Sequence, residues 1–164
     1  MEFRKMRRHR QSLSEEECRD ILIKGGRGTL AVTGDGGWPY AVPLNYVYND
    51  GVIYFHCAKE GHKLDAVKKD SRVCFSVVSE DEVVPEKLLT MYKSVTVFGH
   101  ARVLDDEEEI WASAFALGVK YAPMLSSEAI NAEIERERPR LAVIALTPEH
   151  ITGKQALEFV KKEK

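Results

Sequence analysis

Residues 28–56 read GTLAVTGDGGWPYAVPLNYVYNDGVIYFH, and the turns inside that run decide the fold. Gly34, Asp35, Gly36 and Gly37 separate a β-rich segment ending at Thr33 from a second one over 38–48. Asn49, Asp50 and Gly51 then separate the second from a third over 52–56. Connections this short join antiparallel neighbours, because a parallel partner needs a crossover of a dozen residues or more. The glycine-rich run lies between two strands, not between a strand and a helix. It is therefore a hairpin turn and not the phosphate cradle of a dinucleotide fold. The stretch from Leu44 to Tyr48 alternates poorly between apolar and polar, which predicts that both its faces touch a ligand or a partner subunit instead of bulk water.

Working outward, residues 61–69 place Leu64 and Val67 on one helical face, and residues 72–78 return as a strand. Ser79, Glu80, Asp81 and Glu82 then read as an exposed loop leading to Pro85. Over 92–104 the apolar residues Val95, Val97, Ala101 and Val103 fall on odd positions, the period of a strand, with Gly99 at a bend or bulge. Asp105 and Asp106 cap a helix ending near Gly118, a polar helix covers 127–138, and residues 141–146 form the last strand. Upstream, Ser14 and Glu17 form a capping box, with Leu13 placed to staple onto Cys18, so a first helix runs to Lys24. The chain thus predicts a mainly β (α+β) fold: a small antiparallel six-stranded barrel with peripheral helices. Residues 14–164 form a single domain behind a basic arm, residues 1–13.

The composition narrows the function classes. Lys and Arg total 24 against 26 Asp and Glu, so no whole-protein field draws the chain to nucleic acid or to an anionic membrane. No apolar run approaches the roughly 20 residues of a spanning helix. The N-terminal Arg4, Lys5, Arg7, Arg8 and Arg10 precede no apolar segment, so they read as a solvated arm and not as a secretory signal. Three cysteines without CxxC spacing, Cys18, Cys57 and Cys74, fit reduced thiols in the cytoplasm and no disulfide framework.

The residues with chemical character cluster between Phe55 and Lys63. A strand end meets a helix start there through Gly61, with Lys63 beside it, and free backbone N–H groups at a helix N-terminus favour an anion. The same residues read equally as an exposed loop with a solvated Lys. Leu64 stands where the Walker pattern needs Ser or Thr, so the stretch is not a P-loop, which disfavours nucleotide triphosphate hydrolysis. His56 and Cys57 are adjacent on a strand and point to opposite faces, against a nucleophile with its base. His56, His62, His100 and His150 lack metal-ligand spacing, so no metal site is expected. Trp38, Tyr40, Tyr46, Tyr48 and Tyr54 fit a core or a subunit interface.

Taken together, several stretches resemble the FMN-binding split-barrel family related to pyridoxamine 5'-phosphate oxidase, in its nitroimidazole-resistance (Nim) branch. They are Gly28-Thr-Leu-Ala-Val, Pro39-Tyr-Ala-Val-Pro-Leu-Asn-Tyr-Val-Tyr, Gly51-Val-Ile-Tyr-Phe-His-Cys-Ala, Gly61-His-Lys, Arg72-Val-Cys-Phe, Ser94-Val-Thr-Val-Phe-Gly-His-Ala and Ile151-Thr-Gly-Lys. The resemblance implies a split barrel that forms a homodimer with two FMN molecules at the interface. It implies that Val42, Pro43, Leu44 and Asn45 line the flavin ring edge with backbone groups, and that His62 and Lys63 bind the phosphate. His56 and Cys57 would lie beside them, and Ser94 would reach the flavin from the opposing subunit. His56 is the implied catalytic residue, acting in substrate handling. Met6-Arg-Arg matches starts in this branch and implies that residues 1–5 are an upstream extension. Tyr40 stands where pyridoxamine phosphate oxidases carry an arginine-rich strand, and the C-terminus lacks their substrate motif, which disfavours vitamin B6 synthesis.

The implied function is an FMN-dependent oxidoreductase that takes electrons from a small-molecule donor and reduces nitro-aromatic or similar small acceptors. The alternatives are a flavin carrier or sensor without turnover, and a dimeric interaction protein that has lost the cofactor.

Overall fold

The hairpins of residues 28–56 form as the turns predict, with a corner between them. In the computed structural model, which describes residues 3–162, β1 (Gly28–Thr33) pairs with β2 (Pro39–Leu44) across a 3-10 turn at Asp35–Gly37, and β3 (Val47–Asn49) pairs with β4 (Val52–Ala58). Asn45 and Tyr46 leave the strand between β2 and β3. Tyr46 and Val47 are both buried, and two consecutive residues cannot both point inward from a strand. That corner breaks the alternation from Leu44 to Tyr48. It also splits the expected second strand in two, so the sheet has seven strands where six were expected.

The sheet is completed by β5 (Arg72–Val84), β6 (Leu89–Val103) and β7 (Leu141–Gln155). The order is β2-β1-β5-β6-β7-β4-β3, every pair antiparallel, with β2 and β3 left at the two edges. The sheet therefore curls into a split-barrel-like form without closing, and the Asn45–Tyr46 corner carries the chain from one edge to the other. Val95, Val97 and Ala101 point into the core as their period predicts.

Two strands run longer than their apolar patterns. The acidic residues read as a loop, Glu80 to Glu82, belong to β5 and pair with Lys93, Tyr92 and Met91. Both faces of that arm are exposed, so no burial imposes a period of two on its sequence. β7 passes through Thr147 and Pro148 because the β6–β7 ladder shifts register between Phe98 and Gly99, opposite the proline, which has no N–H to donate.

The helices cover what the strands leave open. The capping box at Ser14 forms and starts α1 (Glu15–Lys24), which buries Cys18 and Leu22. α2 (His62–Lys69) packs on β1 and β6, while α3 (Glu107–Tyr121) and α4 (Ser127–Glu137) pack together beside β3 and β7; α5 (Leu157–Lys162) ends the described chain. Before α1, the Gln11 side-chain amide donates to the Gln155 carbonyl at 2.7 Å and the Phe3 ring stacks on His150 at 4.5 Å, while Arg4, Lys5, Arg7, Arg8 and Arg10 stay exposed. Residues 1–2 of the expected upstream extension lie outside the described residues. No helix among the described residues is long and apolar enough to cross a membrane.

Candidate functional site

β4 alternates Ile53, Phe55 and Cys57 into the core, which turns His56 to the other face. The strand ends at Ala58, and the chain crosses Lys59, Glu60 and Gly61 to enter α2. Gly61 has φ +131°, a conformation that residues with a Cβ rarely adopt, and a Cβ there would meet open space. As cap it offers no side chain to the helix, so the N–H groups of His62 and Lys63 have no hydrogen-bond partner among the described residues. Lys63 has no ion-pair partner among them either. Uncapped donors, the positive end of a helix and an uncommitted ammonium together form a cradle for an anion such as a phosphate.

The His62 side chain turns away from that cradle. Its ring stacks on Tyr40 at 4.3 Å, and its Nε2 accepts from the Asp35 N–H at 3.2 Å and lies 3.7 Å from the Asp35 carboxylate. The side chain thus clamps the β1–β2 turn to α2, while the backbone N–H of His62 keeps no partner among the described residues.

Between the end of the barrel and the helices lies a cavity of about 610 Å³. Asn45, from the corner, borders it together with His56 and Cys57. Strand alternation predicts that this last pair diverges, and it does; both still border the cavity because it wraps around the end of β4. The opposite wall is apolar, formed by Leu117 of α3, Ile130 and Ile134 of α4 and Leu125 of the connection. Tyr121 also borders it and fixes the corner: its hydroxyl accepts from the Tyr46 N–H at 2.9 Å and lies 2.8 Å from the Tyr46 carbonyl and 2.7 Å from that of Gly26. One hydroxyl proton serves those two carbonyls in turn, and Asn45 is held next to the anchored peptide.

Desolvation by the surrounding protein, reinforced by the Lys63 charge, holds the His56 imidazole below its ordinary pKa. His56 is therefore neutral at pH 7, with one ring nitrogen to donate and one to accept. Burial pushes the Cys57 thiol up and Lys63 only partly opposes it, so Cys57 stays protonated and is a poor nucleophile. A histidine whose folded pKa lies below its unfolded value binds fewer protons folded than unfolded. Holding the ring neutral costs stability once the pH drops below about 6.5, and the cost is absent above it. We expect His56→Gln to flatten the decline of the urea midpoint between pH 7 and pH 5 relative to wild type. Parallel declines would show that the ring is not held neutral.

The remaining residues named from sequence are spread along the sheet. Val42 and Leu44 lean on the core from edge strand β2, and Pro43 faces outward. Ser94 lies on β6 between Val78 and Lys154. Leu104, level with His56 through Val143, is ten residues away, about 30 Å along the strand. Within one chain Ser94 and His56 do not meet. The α3–α4 wall was missed in the sequence because helical periodicity marks those residues as buried without saying that they face a cavity. Among the described residues no three His, Cys, Asp or Glu side chains gather as a metal site requires.

The model of the family described as pyridoxamine 5'-phosphate oxidase matches residues 14–155. Solved structures with this fold include a conserved hypothetical protein of Mycobacterium tuberculosis, at TM-score 0.80 and 18% identity over 92% of this chain and 90% of that one. A candidate 5-nitroimidazole antibiotic resistance protein of Bacteroides thetaiotaomicron aligns at TM-score 0.72 and 19% identity, over 88% and 86% of the two chains. An FAD and heme binding protein of Mycobacterium smegmatis aligns at 0.73 and 22%, over 94% and 80%. At these identities the likeness is one of fold. A search of curated proteins finds no match to this chain.

Proposed function

Since the chain belongs to the pyridoxamine 5'-phosphate oxidase family, whose model spans residues 14–155, we propose that it is a flavin-binding oxidoreductase that uses FMN. The observation that carries the reading is the cradle at Gly61–Lys63, an uncapped helix start with a free ammonium, set beside His56 and the cavity. Its donors suit a phosphate monoester. Lys63 and the N–H groups of His62 and Lys63 hold the phosphate, and the backbone of Val42, Pro43, Leu44 and Asn45 borders the ring. Ser94 comes from a second copy of the chain, which makes the working unit a homodimer.

When bound, the flavin supplies electron transfer between a reduced donor and a small acceptor, nitro-aromatic compounds among them. The protein binds, orients and excludes water. His56 is the side chain placed for proton handling. Neutral at pH 7, it can donate a hydrogen bond to a polar atom of the acceptor without bringing a second positive charge beside Lys63.

The visible absorption spectrum of the purified protein tests the reading, taken before and after adding FMN and removing the excess. About one flavin per chain is expected, bleached anaerobically by NADH or NADPH and restored by a nitro-aromatic acceptor. A folded protein that retains no flavin refutes it.

A further inference from the structure

The phosphate cradle and the 610 Å³ cavity are bordered by different residues: neither His62 nor Lys63 borders the cavity. Its volume is that of a pocket for a drug-sized molecule, and its far wall, Leu117, Leu125, Ile130 and Ile134, offers no hydrogen bond. Charge is present only in Glu133, Glu137 and Arg140, and these are already matched. Arg140 grips Glu137 with two bonds of 2.6 and 2.7 Å, and Arg136 reaches Glu133 at 2.5 Å and Glu137 at 3.5 Å. Two carboxylates and two guanidinium groups cancel, leaving no unpaired charge on the cavity wall to receive an ionised ligand. The polar groups left for a ligand are the Asn45 amide and the His56 ring, both at the barrel end.

We propose that this cavity binds an uncharged, largely apolar small molecule, hydrogen-bonded at one end by Asn45 and His56. An ion entering it would lose its hydration and find no unpaired counter-charge, whereas a neutral molecule with one carbonyl, hydroxyl or nitro group leaves nothing uncompensated. The assignment rests on the flavin reading for the purpose of the site, the seat of the electron acceptor, and not for the binding itself.

Calorimetric titration of the full chain, as purified, with 1-naphthol, 1-naphthoate and 1-naphthylmethylammonium separates the cases, because the three share a shape and differ in charge. 1-Naphthol is expected to bind at least tenfold tighter than either ion. Leu125→Trp, at a half-exposed position that accepts a larger side chain, is expected to weaken naphthol binding at least tenfold while flavin per chain and molecular mass in solution stay unchanged. Ala122→Phe, just past α3, serves as a second plug should the first variant fold poorly.

Equal or tighter binding of either ion overturns the proposal. So does loss of flavin together with naphthol binding in Leu125→Trp, which would make the cavity the flavin's own. A changed molecular mass with naphthol affinity retained also overturns it, because a second copy would then occupy the cavity. A chain that holds no flavin and still binds naphthol, with the loss in Leu125→Trp, would refute the flavin reading and sustain this one.

Discussion

Phe75→Ala is expected to lower the unfolding free energy by about 3–5 kcal/mol, the usual cost of emptying a large buried aromatic site. Phe75 is fully buried, and its ring stands edge-on to two others, Tyr46 at 4.9 Å and 72° and Phe55 at 4.9 Å and 67°. The ring lies against the Cα of Gly28, where any Cβ would collide with it. The site is close to collapse-proof: the sheet backbone on either side is fixed by β1 and β6, so a cavity would persist and the larger end of the range applies. Domains of this size are stable by about 5–15 kcal/mol, so much of that reserve would be lost. Tyr46 follows Asn45 in the corner and Phe55 precedes His56, so the same truncation would loosen both polar residues at the barrel end. A urea titration of the flavin-free protein measures the cost without a ligand contribution. A loss below 1 kcal/mol would show that the three rings are not one packing unit.

What the sequence made legible is what local rules control. The capping box at Ser14, the odd-numbered apolar set of β6 and the hairpin turns at residues 34–37 and 49–51 each need only a few neighbouring residues to specify them. The junction at Gly61–Lys63 was legible for the same reason, since the cap glycine and the cation both lie within one turn of the helix start. The corner at Asn45–Tyr46 was not, because an unbroken β-rich run gives no sign that Tyr46 is drawn inward toward Phe75 and anchored by Tyr121, seventy-five residues later. The commitment of the His62 ring to Asp35 and Tyr40 was likewise invisible, because it depends on α2 lying against the β1–β2 turn. Resemblance named the residues around the proposed flavin; the folded chain shows that Asn45, His56 and Cys57 share a cavity and that the far wall belongs to helices with no recognisable motif.

Lys63→Ala is expected to weaken FMN binding by roughly ten- to a hundredfold while leaving the urea midpoint of the flavin-free protein almost unchanged. The magnitude follows from losing one charge-assisted contact to a phosphate, about 1.5–3 kcal/mol. Lys63 has no ion pair among the described residues to lose, and alanine is a good helix former at the start of α2, so folding has little to register. His62→Ala provides the contrast. Its side chain holds the turn at Asp35 and stacks on Tyr40, while the N–H assigned to the anion belongs to the backbone and survives the substitution. That variant should lose stability through the turn and lose less FMN affinity than Lys63→Ala. Removing the Lys63 charge should also raise the His56 pKa, because Lys63 is one of the two causes that depress it, and the titration can be followed by NMR of the imidazole in the flavin-free protein. If FMN affinity is unchanged in Lys63→Ala, the phosphate does not lie at the start of α2. If affinity falls but the His56 titration does not move, the cradle holds the phosphate and Lys63 exerts no influence on the ring beside it.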